Sequence, residues 1–150
     1  MSLTLKLQRA GLALATLLGT AVSLDAAAAI SPLPRERAAG VASYLSGGIS
    51  EESSQAFKHA FRNYPLVVQL FERDGQREVY TADAQVRITD AHGRVVLDQK
   101  ADGPFMLVRV PAGDYVVSAD LAGHALPQHH VHVSAHGHTN SVFVFPPHTG

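Results

Sequence analysis

The stretch that decides the fold is VRITDAHGRVVLDQKADGPFMLVRVPAGDYVVSADLAG, residues 86–123. Apolar and polar residues alternate along short runs such as VRIT and YVVSA, a period typical of strands with one buried face. The sequences DAHG, ADGP and PAG separate these runs and carry the glycine and proline of turns. No segment of helical length lies between the runs, so parallel pairing through crossover helices is not expected. The stretch predicts four antiparallel strands.

The same pattern extends on both sides of this stretch. The run PLVVQLFE precedes it, and HHVHVS and SVFVF follow it. Residues 65–146 therefore predict a mainly β domain, a seven-stranded antiparallel β-sandwich. Alternation assigns these residues to core faces: Leu66, Val68, Leu70, Ala84, Val86, Ile88, Tyr115, Val117 and Ala119.

Two turn patterns carry a resemblance to a known family. A D-x-x-G turn runs from Asp90 to Gly93, and a P-A-G-x-Y-x-V pattern runs from Pro111 to Val117. With the strands around them, over residues 65–145, they resemble the carboxypeptidase regulatory-like domain of the transthyretin-like (prealbumin-like) superfamily. The resemblance implies a transthyretin-like or Ig-like Greek-key sandwich in a small exported bacterial-type protein. Related hydrolases of hydroxyisourate end in Tyr-Arg-Gly-Ser, whereas this chain ends in FPPHTG, so their catalytic residues are not carried over.

The N-terminal segment, residues 1–29, has the pattern of a signal peptide. Lys6 and Arg9 form a positive start, residues 10–24 are uncharged and largely apolar, and Ala27 and Ala29 fit an A-x-A cleavage site. The alternative is an uncleaved membrane anchor, but the apolar run is short for a span of about 20 residues. We expect a periplasmic or secreted protein without a membrane span after cleavage. The chain has no cysteine, which excludes disulfides and a lipidated cysteine.

Residues 30–64 divide into a predicted linker and a predicted helix. Residues 30–49 read as a flexible linker, because Pro32 and Pro34 oppose a helix and Gly47-Gly48 breaks regular structure. Residues 50–64 predict a packing helix with Ser50 as its N-cap. Its apolar stripe has helical spacing and comprises Phe57, Ala60, Phe61 and Tyr64.

Charge and motifs limit the function. Without the leader, which contains Lys6, Arg9 and Asp25, the net charge is −2 and no basic stripe is present, so nucleic acid is not an expected partner. The chain has no G-x-S-x-G, H-E-x-x-H or P-loop motif. We expect an exported non-enzymatic module with a binding or structural role in the cell envelope, its partner an unknown protein or envelope component. A histidine-based transition-metal binder and an unrecognised hydrolase are the alternatives.

The segment HALPQHHVHVSAHGH, residues 124–138, contains six histidines. A turn centred on His136-Gly137 would join the last two strands as a hairpin, with Val131 opposite Val142. In that register His130 and His132 lie on the face that Phe143 shares, with His130 across from Phe143.

Three interpretations of these histidines stay open. His130 and His132 are two residues apart on one strand face, about 6.6 Å, so both imidazoles can reach one Cu, Ni or Zn ion. A third ligand would come from His124 or His148. Otherwise the histidines are the polar face of a terminal strand, or a surface that responds to pH. No other cofactor is expected.

Overall fold

The computed structural model describes residues 33–149, so the predicted signal peptide and the first residues of the predicted linker lie outside the described residues. Within that range the protein is mainly β, with eleven strands and one short α-helix. The strands are β1 (Arg37–Ala39), β2 (Ala42–Gly47), β3 (Leu66–Asp74), β4 (Arg77–Tyr80), β5 (Gln85–Asp90), β6 (Val95–Lys100), β7 (Phe105–Arg109), β8 (Gly113–Leu121), β9 (His124–Ala125), β10 (His129–Val133) and β11 (Thr139–Phe145). The helix is α1 (Glu51–Ala60), and a 3₁₀ turn (Phe61–Asn63) follows it. All seven predicted strands are present, and the four additional ones are β1, β2, β4 and β9.

The strands form two sheets. Sheet A has the order β1-β2-β7-β3-β11, with β4 paired to the far end of β3. Sheet B has the order β10-β8-β5-β6, with β9 paired to the end of β8. Neighbouring strands are antiparallel except β3 and β11, which run parallel with Leu66 beside Thr139. The expectation of a fully antiparallel domain is therefore wrong for this one pair.

The main hydrophobic core lies between the two sheets. Alternate residues of strands in both sheets point into it, as the two-residue period of a strand requires. The core faces predicted from the alternation are confirmed, and the following residues are all buried there: Leu66, Val68, Leu70, Ala84, Val86, Ile88, Tyr115, Val117 and Ala119. Tyr115 also donates a hydrogen bond of 2.7 Å from its hydroxyl to the carbonyl oxygen of Pro111, which fixes the turn before β8.

Helix α1 covers the outer face of β2, β3 and β7 in sheet A. Ser50 caps it as predicted, because its side chain accepts a hydrogen bond of 3.2 Å from the backbone N–H of Ser53. The predicted stripe is confirmed, and a second apolar cluster joins it to the sheet: Leu45, Phe57, Ala60, Tyr64, Val67, Phe105 and Leu107 are buried, with Phe61 partly buried. This second layer explains why β3 and β7 begin with consecutive apolar residues, since each strand is buried on both faces.

The prediction of a flexible linker at 30–49 is wrong for residues 37–47. These residues form the hairpin β1–β2, and β2 pairs with β7 over Ser43–Gly47. Tyr44 points into the main core and Leu45 into the helix layer, so both are buried. The two glycines predicted as a break end the strand instead. Gly48 has a φ of +96°, and a Cβ there would lie 2.5 Å from the Phe105 ring.

The predicted terminal hairpin is also wrong. β10 pairs with β8 in sheet B, whereas β11 pairs with β3 in sheet A. Residues 134–138 therefore cross from one sheet to the other, and Val131 does not pair with Val142. The inward face of β11 carries Phe143, while Val142 is 42 % exposed. β11 alternates as predicted, but its inward face carries Phe143 rather than Val142, because its partner strand is distant in sequence.

Candidate functional site

The outer face of sheet B differs from that of sheet A, because its side chains remain exposed or half-buried. The strand registers align four of them in one row across the sheet, from β10 to β6: His130, Val116, Thr89 and Val95. Val95 is 54 % exposed at the end of this row. A neighbouring row contains His132 opposite Asp114.

The structure places His130 and His132 together on this outer face, as the alternation predicts. The Nδ1 atom of His132 lies 2.7 Å from Oδ1 of Asp114, and both side chains are largely exposed. A groove of about 540 Å³ runs beside them and is also lined by Thr89, Asp90 and Val116. The two predicted ligands thus share one solvent-accessible surface.

His124 and His148 do not join this pair. His124 on β9 lies opposite Leu121, which is five residues along β8 from Val116, the partner of His130. Five strand steps correspond to about 16 Å, too far for a shared ion. His148 follows β11, and its neighbour Thr149 donates its N–H to Glu72 of sheet A at 2.9 Å. Among residues 33–149, no group of three or more histidines and carboxylates is placed to hold a metal ion.

His129, rather than His130, takes the position beside Phe143. Its ring stacks on that of Phe143 with 4.2 Å between centroids and 7° between planes. Its Nδ1 lies 2.8 Å from the hydroxyl oxygen of buried Ser141. His129 shares the inward face of β10 with Val131 and Val133, so the alternation contained the signal, but the assumed hairpin register assigned the contact to the wrong residue.

A polar cluster around Glu36 joins the segment before β1 to sheet A and the helix layer. Glu36 accepts hydrogen bonds from the hydroxyls of Ser43 and Tyr64, and Arg109 lies 3.1 Å from it. The Ser43 hydrogen bond is the largest cause that lowers the pKa of Glu36, and Arg109 lowers it further. Burial and the nearby Glu36 charge raise the pKa of Tyr64. Sequence reasoning missed this cluster, because Glu36 and Arg109 are 73 residues apart.

Two other polar groups join neighbouring elements. On the outer face of sheet B, Asp98 accepts a hydrogen bond of 2.7 Å from Gln85, which most strongly lowers its pKa, and Arg87 lies 2.8 Å away. Between α1 and β4, burial raises the pKa of Tyr80, but hydrogen bonds with Lys58 and Ser54 outweigh this and lower it. Each of these groups links two elements of the fold.

Comparison with known proteins adds no identification, since no family model, curated protein or solved structure matches the chain. The resemblance to carboxypeptidase regulatory-like domains therefore stays a prediction. Across the described residues, no helix has the length and apolar character needed to span a membrane.

Proposed function

We propose that the protein is an exported, non-enzymatic module that binds an envelope protein through the outer face of sheet B. We further propose that its two sheets form a transthyretin-like Greek-key sandwich. The export part rests on the leader pattern of residues 1–29, and the fold part rests on the two turn patterns, at Asp90–Gly93 and Pro111–Val117.

The unequal covering of the two sheets is the observation that carries the proposal. Helix α1 buries the outer face of β2, β3 and β7 in sheet A, whereas sheet B presents a row from His130 to Val95 to solvent. Half-buried Val116 lies within this row, and the Arg87–Asp98 ion pair borders it. An apolar centre with a charged border is the composition of protein–protein interfaces. Small-molecule sites, by contrast, are concave and enclose most of the ligand.

The distribution of perturbed groups supports a non-enzymatic role. Active sites bring groups with shifted pKa values together in one cleft. Here Glu36 and Tyr64 are hydrogen-bonded to each other beside the helix layer, Asp90 and Asp98 line one pocket at sheet B, and Tyr80 lies between α1 and β4. Each of these groups has a hydrogen-bond partner in its own turn or in a neighbouring element, which is the arrangement of groups that stabilise a fold.

A charge placed in the exposed row tests the proposal. Val116→Glu puts a carboxylate at its centre, and Val142→Glu is the control because Val142 is 42 % exposed on β11 of sheet A. We expect the wild type and Val142→Glu to migrate in native envelope extracts as a complex larger than the free mature chain, and Val116→Glu to migrate as free protein. A wild type that migrates as a free chain, or a Val116→Glu variant that stays in the complex, would contradict the proposal.

A further inference from the structure

The geometry of β10 goes beyond the proposed binding function. His130 and His132 project from the same face of the strand, with about 6.6 Å between residues two positions apart. Their cross-strand neighbours, Val116 and Asp114, belong to the outer face of sheet B. Metal–imidazole bonds are about 2.0 Å long, so two solvent-exposed rings at this spacing can bind one ion.

Asp114 orients the His132 ring so that one of its nitrogens faces away from the carboxylate and is available to a metal. Its Oδ1 lies 2.7 Å from Nδ1 of His132, so Nδ1 donates its proton to the carboxylate. In the tautomer with its proton on Nδ1, the ring has its lone pair on Nε2, the atom left for a metal. Carboxylates that accept the second ring N–H are the usual partners of metal-binding histidines, because they fix the tautomer and raise the basicity of the ligand. The β8–β10 register holds Asp114 directly opposite His132.

The neighbouring polar groups have other partners. His129 directs Nδ1 to Ser141 and stacks on Phe143 at the inward face. Asp90, in the groove beside the pair, accepts hydrogen bonds from the backbone N–H groups of His92 and Arg94 and from the Arg94 side chain. The described residues therefore supply two nitrogen ligands, and water would complete the coordination.

We propose that His130 and His132 form a copper(II) site of one ion per chain, with Asp114 as a positioning residue. Structural zinc sites use four protein ligands in a tetrahedron, which this face does not supply. Copper(II) prefers tetragonal sites with nitrogen and oxygen ligands, and it stands highest in the affinity order of the divalent first-row metals. Two imidazoles with water in the other positions thus favour copper(II) over nickel(II) and zinc(II).

The test is a titration of the protein, prepared without a histidine tag, with copper(II), nickel(II) and zinc(II). Calorimetry gives stoichiometry and affinity, and electron paramagnetic resonance counts the nitrogens bound to copper. We expect one copper(II) per chain, coupling to two imidazole nitrogens, and tighter binding of copper(II) than of nickel(II) or zinc(II). His130→Ala/His132→Ala should lose this signal, whereas His136→Ala/His138→Ala, the control pair two residues apart in segment 134–138, should keep it.

Asp114 has a separate test. Asp114→Ala should weaken copper binding by about 10–100-fold, the range for residues that hydrogen-bond to a metal ligand. Asp114→Asn should recover part of that loss, because its carbonyl still accepts the Nδ1 proton without the charge. Circular dichroism without metal checks that each variant folds. Half an ion per chain, signal loss in His136→Ala/His138→Ala, or unchanged binding in His130→Ala/His132→Ala would overturn the proposal.

Discussion

Tyr115 offers the sharpest test of how the core is built. Its ring is 7 % exposed in the core between the sheets, and its hydroxyl binds the Pro111 carbonyl at 2.7 Å. Tyr115→Ala empties a large aromatic site, which costs about 3–5 kcal/mol of unfolding free energy. Tyr115→Phe keeps the ring and loses one hydrogen bond, which costs about 0.5–1.5 kcal/mol. The difference in unfolding free energy between the two variants measures the packing of the ring. We expect this difference to exceed the loss in Tyr115→Phe, which measures the hydrogen bond.

Urea unfolding at neutral pH measures these values, with Val142→Ala as the control. Val142 is 42 % exposed, so its truncation should change the free energy by less than about 0.5 kcal/mol. Burial, and secondarily Asp90, raise the pKa of Tyr115 above 10.0, so its stabilising contribution is complete below pH 10 and is lost as the pH rises further. Tyr115→Phe should therefore lose less stability above pH 10 than wild type. A Tyr115→Ala variant within about 1 kcal/mol of wild type would refute the core assignment.

Three further predictions follow from other contacts. A Cβ on Gly103 would lie 2.5 Å from the backbone of Gly47, so Gly103→Ala should lower the free energy of unfolding in urea by roughly 1–3 kcal/mol. The control, Asp102→Ala, removes only an exposed ion pair with Arg37 and should lower it by at most about 1 kcal/mol. The pKa of Glu36 is lowered from 4.5, chiefly by the Ser43 hydrogen bond, so the contribution of Glu36 to stability is present above pH 4.5 and is lost as the pH falls. Glu36→Gln should therefore lose less thermal stability in acid than the wild type. Melting temperatures that fall in parallel with pH for the two proteins would contradict this. Hydrogen exchange should find the β2 amides that pair with β7 protected, and exchange as fast as in a linker would show that the hairpin does not form.

Local signals in the sequence were sufficient for most elements. The alternation around Val86 and Val117 defines core faces, because a half-buried strand must alternate whichever strand lies beside it. Ser50 marks the helix start through a contact only three residues away. The same locality explains why the spacing of His130 and His132 placed both on one face correctly.

Sequence reasoning failed where the deciding contact is distant. β2 is a strand because it pairs with β7, about 60 residues further along the chain, and its polar serines and adjacent glycines conceal this. The short segment before β11 resembles a hairpin turn in the sequence. It connects two sheets instead, because β11 pairs in parallel with β3. His129 and the Glu36 cluster depend on these same pairings. The contact of His129 with Phe143 and the contacts of Glu36 with Tyr64 and Arg109 cannot be derived from residue spacing within one segment.

Photo-crosslinking in living cells tests the central claim most directly, because it reports which face meets a partner. A photoreactive amino acid would replace Val116 on the outer face of sheet B or, in a matched protein, Val142 on β11. The proposed function predicts a discrete adduct with an envelope protein from position 116 and no such adduct from position 142. Equal adducts from both positions, or no adduct from position 116, would contradict the assignment of sheet B as the binding face.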